Sequence, residues 1–217
     1  LTTIKPAVEQ FRSKEKRLDV LVNNAAVMLP PVGKKSAQGY DMQTATNVYG
    51  PFLLTTLLHP VLKATVEQAE TGSVRVVWAA SHAADLFGPR GGVHFVADPT
   101  QDGGEQLKIK EDFGPAPTYA QSKAADIMLG VECARRWGEE GIISNSLNPG
   151  NIRSELVRDR TWVEQWIASW FNYPTEMGAW PELYAGKLYT AAFESKVVPA
   201  VAKLTIARMV SRNYASA

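Results

Sequence analysis

Three short runs, "LDVLV" (18–22), "SVRVVWAA" (73–80) and "IISNSLNPG" (142–150), interrupt stretches that carry helical spacing. A strand that is apolar at consecutive rather than alternate positions suits a sheet covered on both faces. Ahead of the first run, Ile4, Val8 and Phe11 recur at helical spacing. After a loop containing Pro30, Pro31 and Gly33, a long helical pattern runs from about Tyr40 to Gln68. A further helix begins near Thr118 and ends around Gly138–Gly141. Strand, helix, strand, helix, strand predicts an α/β fold with a parallel sheet and crossover helices. The polar, Gly- and Pro-containing stretch from 85 to 117 is too long for an ordinary connection. It reads as an insertion at the functional rim.

The 217 residues suffice for one full-sized domain, and no linker or internal repeat divides them, so 1–217 is expected to be a single unit. A net charge of +1 with both signs mixed along the chain lacks the footprint of a nucleic-acid binder. No apolar run reaches the length of a membrane span, so no transmembrane span is expected. The one cysteine, Cys133 in "MLGVECARRW", reads as a small buried hydrophobe and points to a reducing, cytoplasmic setting. His59, His82 and His94 form no metal-ligand pattern, so no metal is expected.

In an open parallel sheet, ligands bind beyond the carboxyl ends of the strands. The first run ends in Asn23-Asn24-Ala25-Ala26, the second reaches Ser81, and the third ends in Asn148-Pro149-Gly150. Each tip alone is compatible with a turn or a cap; their shared position at strand ends is the stronger observation. Beside them stands "TYAQSKAAD" (118–126), with Tyr119 and Lys123 four residues apart on one helix face. A tyrosine with a pKa of about 10 is a poor base at neutral pH. A neighbouring ammonium favours the phenolate and brings that pKa towards the working range. With seven tyrosines in the chain, such a pair by itself is weak evidence.

Five segments in order strengthen it: "LDVLVNNAAVM", "NVYGPFLLT", "VRVVWAASHAA", "YAQSKAA" and "NPGNIRSEL", with a weaker echo in "TEMGAWPELYAG". Together they resemble the short-chain dehydrogenase/reductase family, in particular its retinol-dehydrogenase-like and fungal members. The resemblance implies a Rossmann-like doubly wound sheet and an NAD(P)-dependent oxidoreductase acting on an alcohol or carbonyl compound. Tyr119 would then be the proton donor or acceptor, and Lys123 would lower its pKa and hold the nicotinamide ribose. Ser81 would hydrogen-bond the substrate oxygen, and Asn47 would hold a water in the proton relay. Asn23 and Ala25 would line the cofactor cleft with Tyr119 and Lys123, while Pro149, Ile152 and Ser154 would bracket the nicotinamide. The cofactor implied is NADP (or NAD). Ala26 stands where the family usually has glycine, and the separation of Ser81 from Tyr119 is longer than usual.

The family's glycine-rich phosphate turn, which lies between a first strand and a first helix, is missing. "GPRGG" (88–92) follows the second visible strand and opens no clear helix. By resemblance the fold is therefore N-terminally truncated, with its first strands missing, and "LDVLV" is left at an exposed edge. Such a chain is expected to be poorly stable alone and to bind NAD(P) weakly or not at all. Trp162, Trp166 and Trp170 form one aromatic stripe, either a lid over an apolar substrate or a core or dimer face in a homo-oligomer. Beyond about Phe193 the resemblance fades. An oxidoreductase is the first reading. The alternative is a truncated, non-catalytic relative that keeps the tetrad but binds no dinucleotide. A sugar-nucleotide epimerase or dehydratase, which shares Tyr-x-x-x-Lys, fits "NPGNIRSEL" less well.

Overall fold

The structure is a computed structural model that describes residues 1–97, 107–150 and 173–187. In chain order the elements are α1 (Ile4–Lys14), β1 (Val20–Asn23), a π-helical stretch (Thr44–Tyr49) running into α2 (Gly50–Val66), and β2 (Arg75–Ala79). There follow α3 (Ala83–Leu86), β3 (Phe95–Ala97), β4 (Leu107–Ile109), α4 (Pro115–Trp137), a 3-10 turn (Gly138–Glu140), β5 (Ile143–Leu147) and α5 (Thr175–Lys187).

β1, β2 and β5 form a parallel sheet in that order, so β1 and β5 are its outer strands among the described residues. The register sets Leu21 beside Val76 and Ser144, and Asn23 beside Trp78 and Ser146. With period two, these residues share one face. Against that face pack Val8 of α1, Leu58 and Leu62 of α2, and Cys133 of α4. Right-handed crossovers that step the same way along a sheet place their helices on one side, which accounts for this layer. α5 contacts all three strands. The Arg75 guanidinium donates to its Ala185 carbonyl at 3.1 Å, from the opposite face. Trp78 has no solvent exposure, and its indole N–H donates to Ser144 Oγ at 3.1 Å. Its polar edge is thus satisfied inside the core.

α4 opens with Pro115 at a position where proline costs no hydrogen bond, and it closes with Arg135 and Arg136 in its last turn. Both guanidinium groups contact Glu132, which holds that carboxyl down to about 2. Where the helix crosses the sheet, Gly130 permits close approach. A Cβ there would overlap Ser146 Oγ and lie 3.2 Å from Trp78 Cδ1. Gly130→Ala is therefore expected to destabilise the chain by about 1–3 kcal/mol, read as a lower urea midpoint at unchanged slope.

The stretch read as a polar insertion carries more structure than its composition suggests. α3 begins within two residues of Ser81, and β3 and β4 pair antiparallel, Phe95 with Ile109. Ile109 is buried against Val48 and Ala125, which anchors the pair to the π-helical stretch and α4. Ile152, Ser154, the stripe of Trp162, Trp166 and Trp170, and the tail beyond Phe193 lie outside the described residues. No described helix is long and apolar enough to cross a membrane.

Candidate active site

Because the three strands run parallel, their carboxyl ends lie at one edge of the sheet. Asn23 closes β1 and is buried; its Nδ2 donates to Thr55 Oγ1 at 2.9 Å, while its Oδ1 is a buried acceptor with no partner among the described residues. Ala25 is exposed two residues further on. Ser81 stands two residues beyond β2, where its Oγ accepts the Ala83 N–H at 3.2 Å at the start of α3. Its hydroxyl hydrogen is left as a donor. Pro149 follows β5, half-buried. Asn23, Ser81 and Pro149 thus share one rim, as their positions after the apolar runs imply.

α4 brings Tyr119 and Lys123 to that rim. Tyr119 is 7% exposed and Lys123 4%, one helical turn apart. The Lys123 ammonium donates to the Ala79 carbonyl, the last of β2, at 2.7 Å. It also donates to Asp126 Oδ2 at 3.0 Å, in an ion pair whose side chains are 5% and 4% exposed. Burial pushes the Asp126 carboxyl up to about 6, with the Lys123 charge opposing. Sequence reasoning missed Asp126, although its spacing of three from Lys123 on a helix was the available signal.

Asn47 lies in the π-helical stretch, 1% exposed. Its Oδ1 accepts the Val27 N–H at 2.8 Å, and its Nδ2 donates to the Val27 carbonyl at 3.0 Å and to Ser122 Oγ at 2.9 Å. Ser122 in turn donates to the Tyr119 carbonyl at 2.7 Å. The amide thus ties the loop after β1 to the turn of α4 that carries Tyr119 and Lys123. Gln43, missed from sequence, makes a parallel clamp: it accepts the Leu29 N–H at 3.0 Å and donates to the Pro115 carbonyl at 2.9 Å. Leu29 has a φ of 50°, a left-handed conformation that a leucine adopts only when held. Gln121 is a third clamp, accepting from His94 N–H at 2.9 Å and donating to the Lys110 carbonyl at 2.7 Å. It fastens the inserted stretch to α4 two residues from Tyr119.

Two concavities flank the rim. A groove of about 460 Å³ lies along the outer side of β1, lined by Ile4, Val22, Asn23, Ala25 and Leu54 among others. A second cavity, about 470 Å³, lies between the loop at Pro30–Lys35, the end of β4 and Thr118. Asn23, with its Oδ1 acceptor unpartnered among the described residues, and Ala25 line the groove, whereas Ser81, Tyr119, Lys123 and Pro149 line neither concavity. Among the described residues no glycine-rich turn joins a strand to a helix to cradle a dinucleotide's phosphates. Burial raises the Cys133 thiol to about 11, which leaves it inert at neutral pH.

The chain is 43% identical over 189 residues to a short-chain dehydrogenase/reductase of Phomopsis amygdali, covering 86% of this chain and 54% of that protein. It is 39% identical over 188 residues to the short-chain dehydrogenase/reductase pkfC of Emericella nidulans, covering 86% and 57% respectively. The chain spans about half the length of these curated relatives. No protein-family model matches it. In fold it is similar to the Pseudomonas aeruginosa RhlG/NADP active-site complex, with a TM-score of 0.56 and 21% identity over 84% of this chain and 65% of that one. A Serratia marcescens short-chain dehydrogenase/reductase mutant gives a TM-score of 0.52 and 23% identity, over 85% and 64%.

Proposed function

The chain belongs to the short-chain dehydrogenase/reductase family, and from that premise we propose that it acts as an NAD(P)-dependent oxidoreductase that interconverts an alcohol and a carbonyl on an apolar small molecule. The observation that carries this reading is the buried Lys123 ammonium, held at the carboxyl end of β2 one turn after Tyr119. Tyr119 gives a proton to the substrate oxygen in reduction and takes one in oxidation. Lys123 favours the phenolate and offers its third N–H to a ribose hydroxyl, the other two being donated to Ala79 and Asp126. Ser81 donates its hydroxyl hydrogen to the substrate oxygen, where negative charge develops. Both Asn47 Nδ2 hydrogens are engaged, by Val27 and Ser122, so a relay water at this position would donate to the second lone pair of Oδ1 or to the Asn47 backbone carbonyl. A π-helical turn loosens the usual backbone pairing and makes such a carbonyl available.

When bound, NADP (or NAD) supplies the hydride chemistry that no side chain can. Asn23, Ala25, Tyr119, Lys123 and Pro149 are the described residues that would hold its nicotinamide end, with Ile152 and Ser154 completing the bracket. A single cysteine suits the reducing cytoplasm.

Titration of the chain with NADPH and with NADH, followed by nicotinamide fluorescence, tests the reading. Weak but saturable binding is expected, because the described residues offer contacts to the nicotinamide end and no glycine-rich turn for the phosphates. Lys123→Met, which keeps the aliphatic stem, should weaken it about tenfold or more, the loss of one charge-assisted hydrogen bond. A folded chain that binds neither nucleotide would favour the alternative, a relative that keeps the tetrad without holding a dinucleotide.

A further inference from the structure

We propose that Asp126 is a positioning residue for the proton-transfer pair: its carboxylate fixes the Lys123 ammonium against β2 and offsets part of its charge, which sets how strongly that charge acts on Tyr119. The inference rests on the assignment of Tyr119 and Lys123 above and adds a member to that site.

The geometry begins with the helix. Tyr119, Lys123 and Asp126 stand at positions i, i+4 and i+7 of α4, a single face. That face turns inward, so the three side chains are 7% or less exposed. Lys123 is gripped from two sides, by the Ala79 carbonyl of β2 and by Asp126 of its own helix. Asp126 is fixed by its neighbours as well: Ser146 Oγ of β5 donates to its backbone carbonyl at 3.3 Å. The ammonium therefore has a defined seat.

Stability does not explain this arrangement. A buried ion pair is costly to desolvate, and apolar residues of similar volume often hold a fold as well or better. The sign of the linkage agrees. A carboxyl raised from its unfolded value of about 4 to about 6 in the fold binds its proton more tightly when folded. Its contribution to stability is therefore lost as pH rises through that window, and at neutral pH the ionised group costs the fold free energy. A group kept at such a cost on the inner face of the catalytic helix is better explained by what it does to its neighbour.

That effect is electrostatic. With a cation alone beside it, a phenol's pKa falls by about 1–3 units at close range, and an adjacent carboxylate cancels part of the fall. Other charged and titratable groups also stand around α4, and the inserted stretch packed on Gln121 and Ala125 carries His94, Lys108 and Lys110, the last paired with Asp112. β5 carries none, and β2 carries only Arg75, which donates to Gly72 and Ala185. The π-helical stretch contributes Tyr49, α3 contributes Asp85, and the 3-10 turn contributes Glu139 and Glu140, the latter paired with His59 and Lys63. On α4 itself, Glu132, Arg135 and Arg136 form their own exposed cluster, and Cys133 faces the core. Among the described residues Lys123 is the only charged side chain acting on Asp126.

The test is a phenolate-absorbance titration of the full chain, with Tyr119→Phe as the difference reference that isolates one tyrosine. In Asp126→Asn the Tyr119 midpoint is expected to fall by about one unit, because the cation loses its counter-charge. Asp126→Glu, which keeps the charge, should restore the original midpoint. An unchanged or raised midpoint in folded Asp126→Asn overturns the proposal, since a purely structural aspartate would leave the phenol alone. Should that variant fail to fold, Asp126→Ser takes its place in the same titration, and an unchanged or raised Tyr119 midpoint there overturns the proposal equally. The titration needs no bound dinucleotide. Failure of the oxidoreductase reading, seen as absent nucleotide binding, is therefore distinguishable from failure of this one.

Discussion

Tyr119→Phe is expected to lower turnover by about 100- to 10,000-fold while leaving the fold and nucleotide affinity close to unchanged. The phenyl ring keeps the packing of a side chain that is 7% exposed, so the aromatic contacts of α4 survive. Only the hydroxyl is lost, and the loss of a hydroxyl hydrogen bond costs about 1 kcal/mol of stability. The pH profile should change with it: in alcohol oxidation the limb that rises with deprotonation of the phenol disappears. The measurements are steady-state rates across pH beside a nicotinamide fluorescence titration at one pH. A variant with near-normal turnover would show that Tyr119 carries no proton to or from the substrate.

The largest effect on stability is expected at Trp78. This side chain has no exposed surface and sits where α2, α4 and the sheet meet. Trp78→Ala leaves a large cavity and removes the donor to Ser144 Oγ, at a combined cost of about 3–5 kcal/mol. For a domain with a total stability of about 5–15 kcal/mol, that is a large fraction of the whole. Trp78→Phe should cost less, because most of the volume is kept and the principal loss is the buried indole hydrogen bond. Urea unfolding by circular dichroism separates the two, the midpoint of the alanine variant lying well below that of the phenylalanine variant. Equal midpoints would mean that the cavity collapses without penalty.

How much of the fold is legible in the sequence depends on how local its cause is. β1 and β2 were legible from their apolar runs, "RVVWA" being buried throughout, whereas β5, "ISNSL", was legible from its place after a helix and before Asn148-Pro149-Gly150. α4 was legible from its apolar spacing and its Tyr-x-x-x-Lys. The β3–β4 pair was not, because all three residues of β3 are exposed and give no pattern. It is held instead by Gln121, whose partners lie 27 and 11 residues away. Asn47 stands out in the sequence by resemblance, but its bond to Ser122 spans 75 residues and emerges only in the assembled fold. Asp126 was in plain view three residues from Lys123. What could not be seen was its burial: a Lys–Asp pair at that spacing usually belongs to a wet helix face, and here β2 and β5 close over it.

The π-helical stretch Thr44–Tyr49 takes part in two clamps on one loop: Gln43 just before it holds Leu29, and Asn47 within it holds Val27. A wider turn works as a vernier, setting the angular phase between the segment on its N-terminal side and the helix on its C-terminal side. One residue removed there would let the helix close to ordinary pitch and swing its two ends by about 100° relative to each other. Gln43 and Asn47 could then no longer address the same loop, whatever residues filled the remaining positions. Along this segment the chain can be respelled more easily than it can be shortened, because the quantity under constraint is a count rather than an identity.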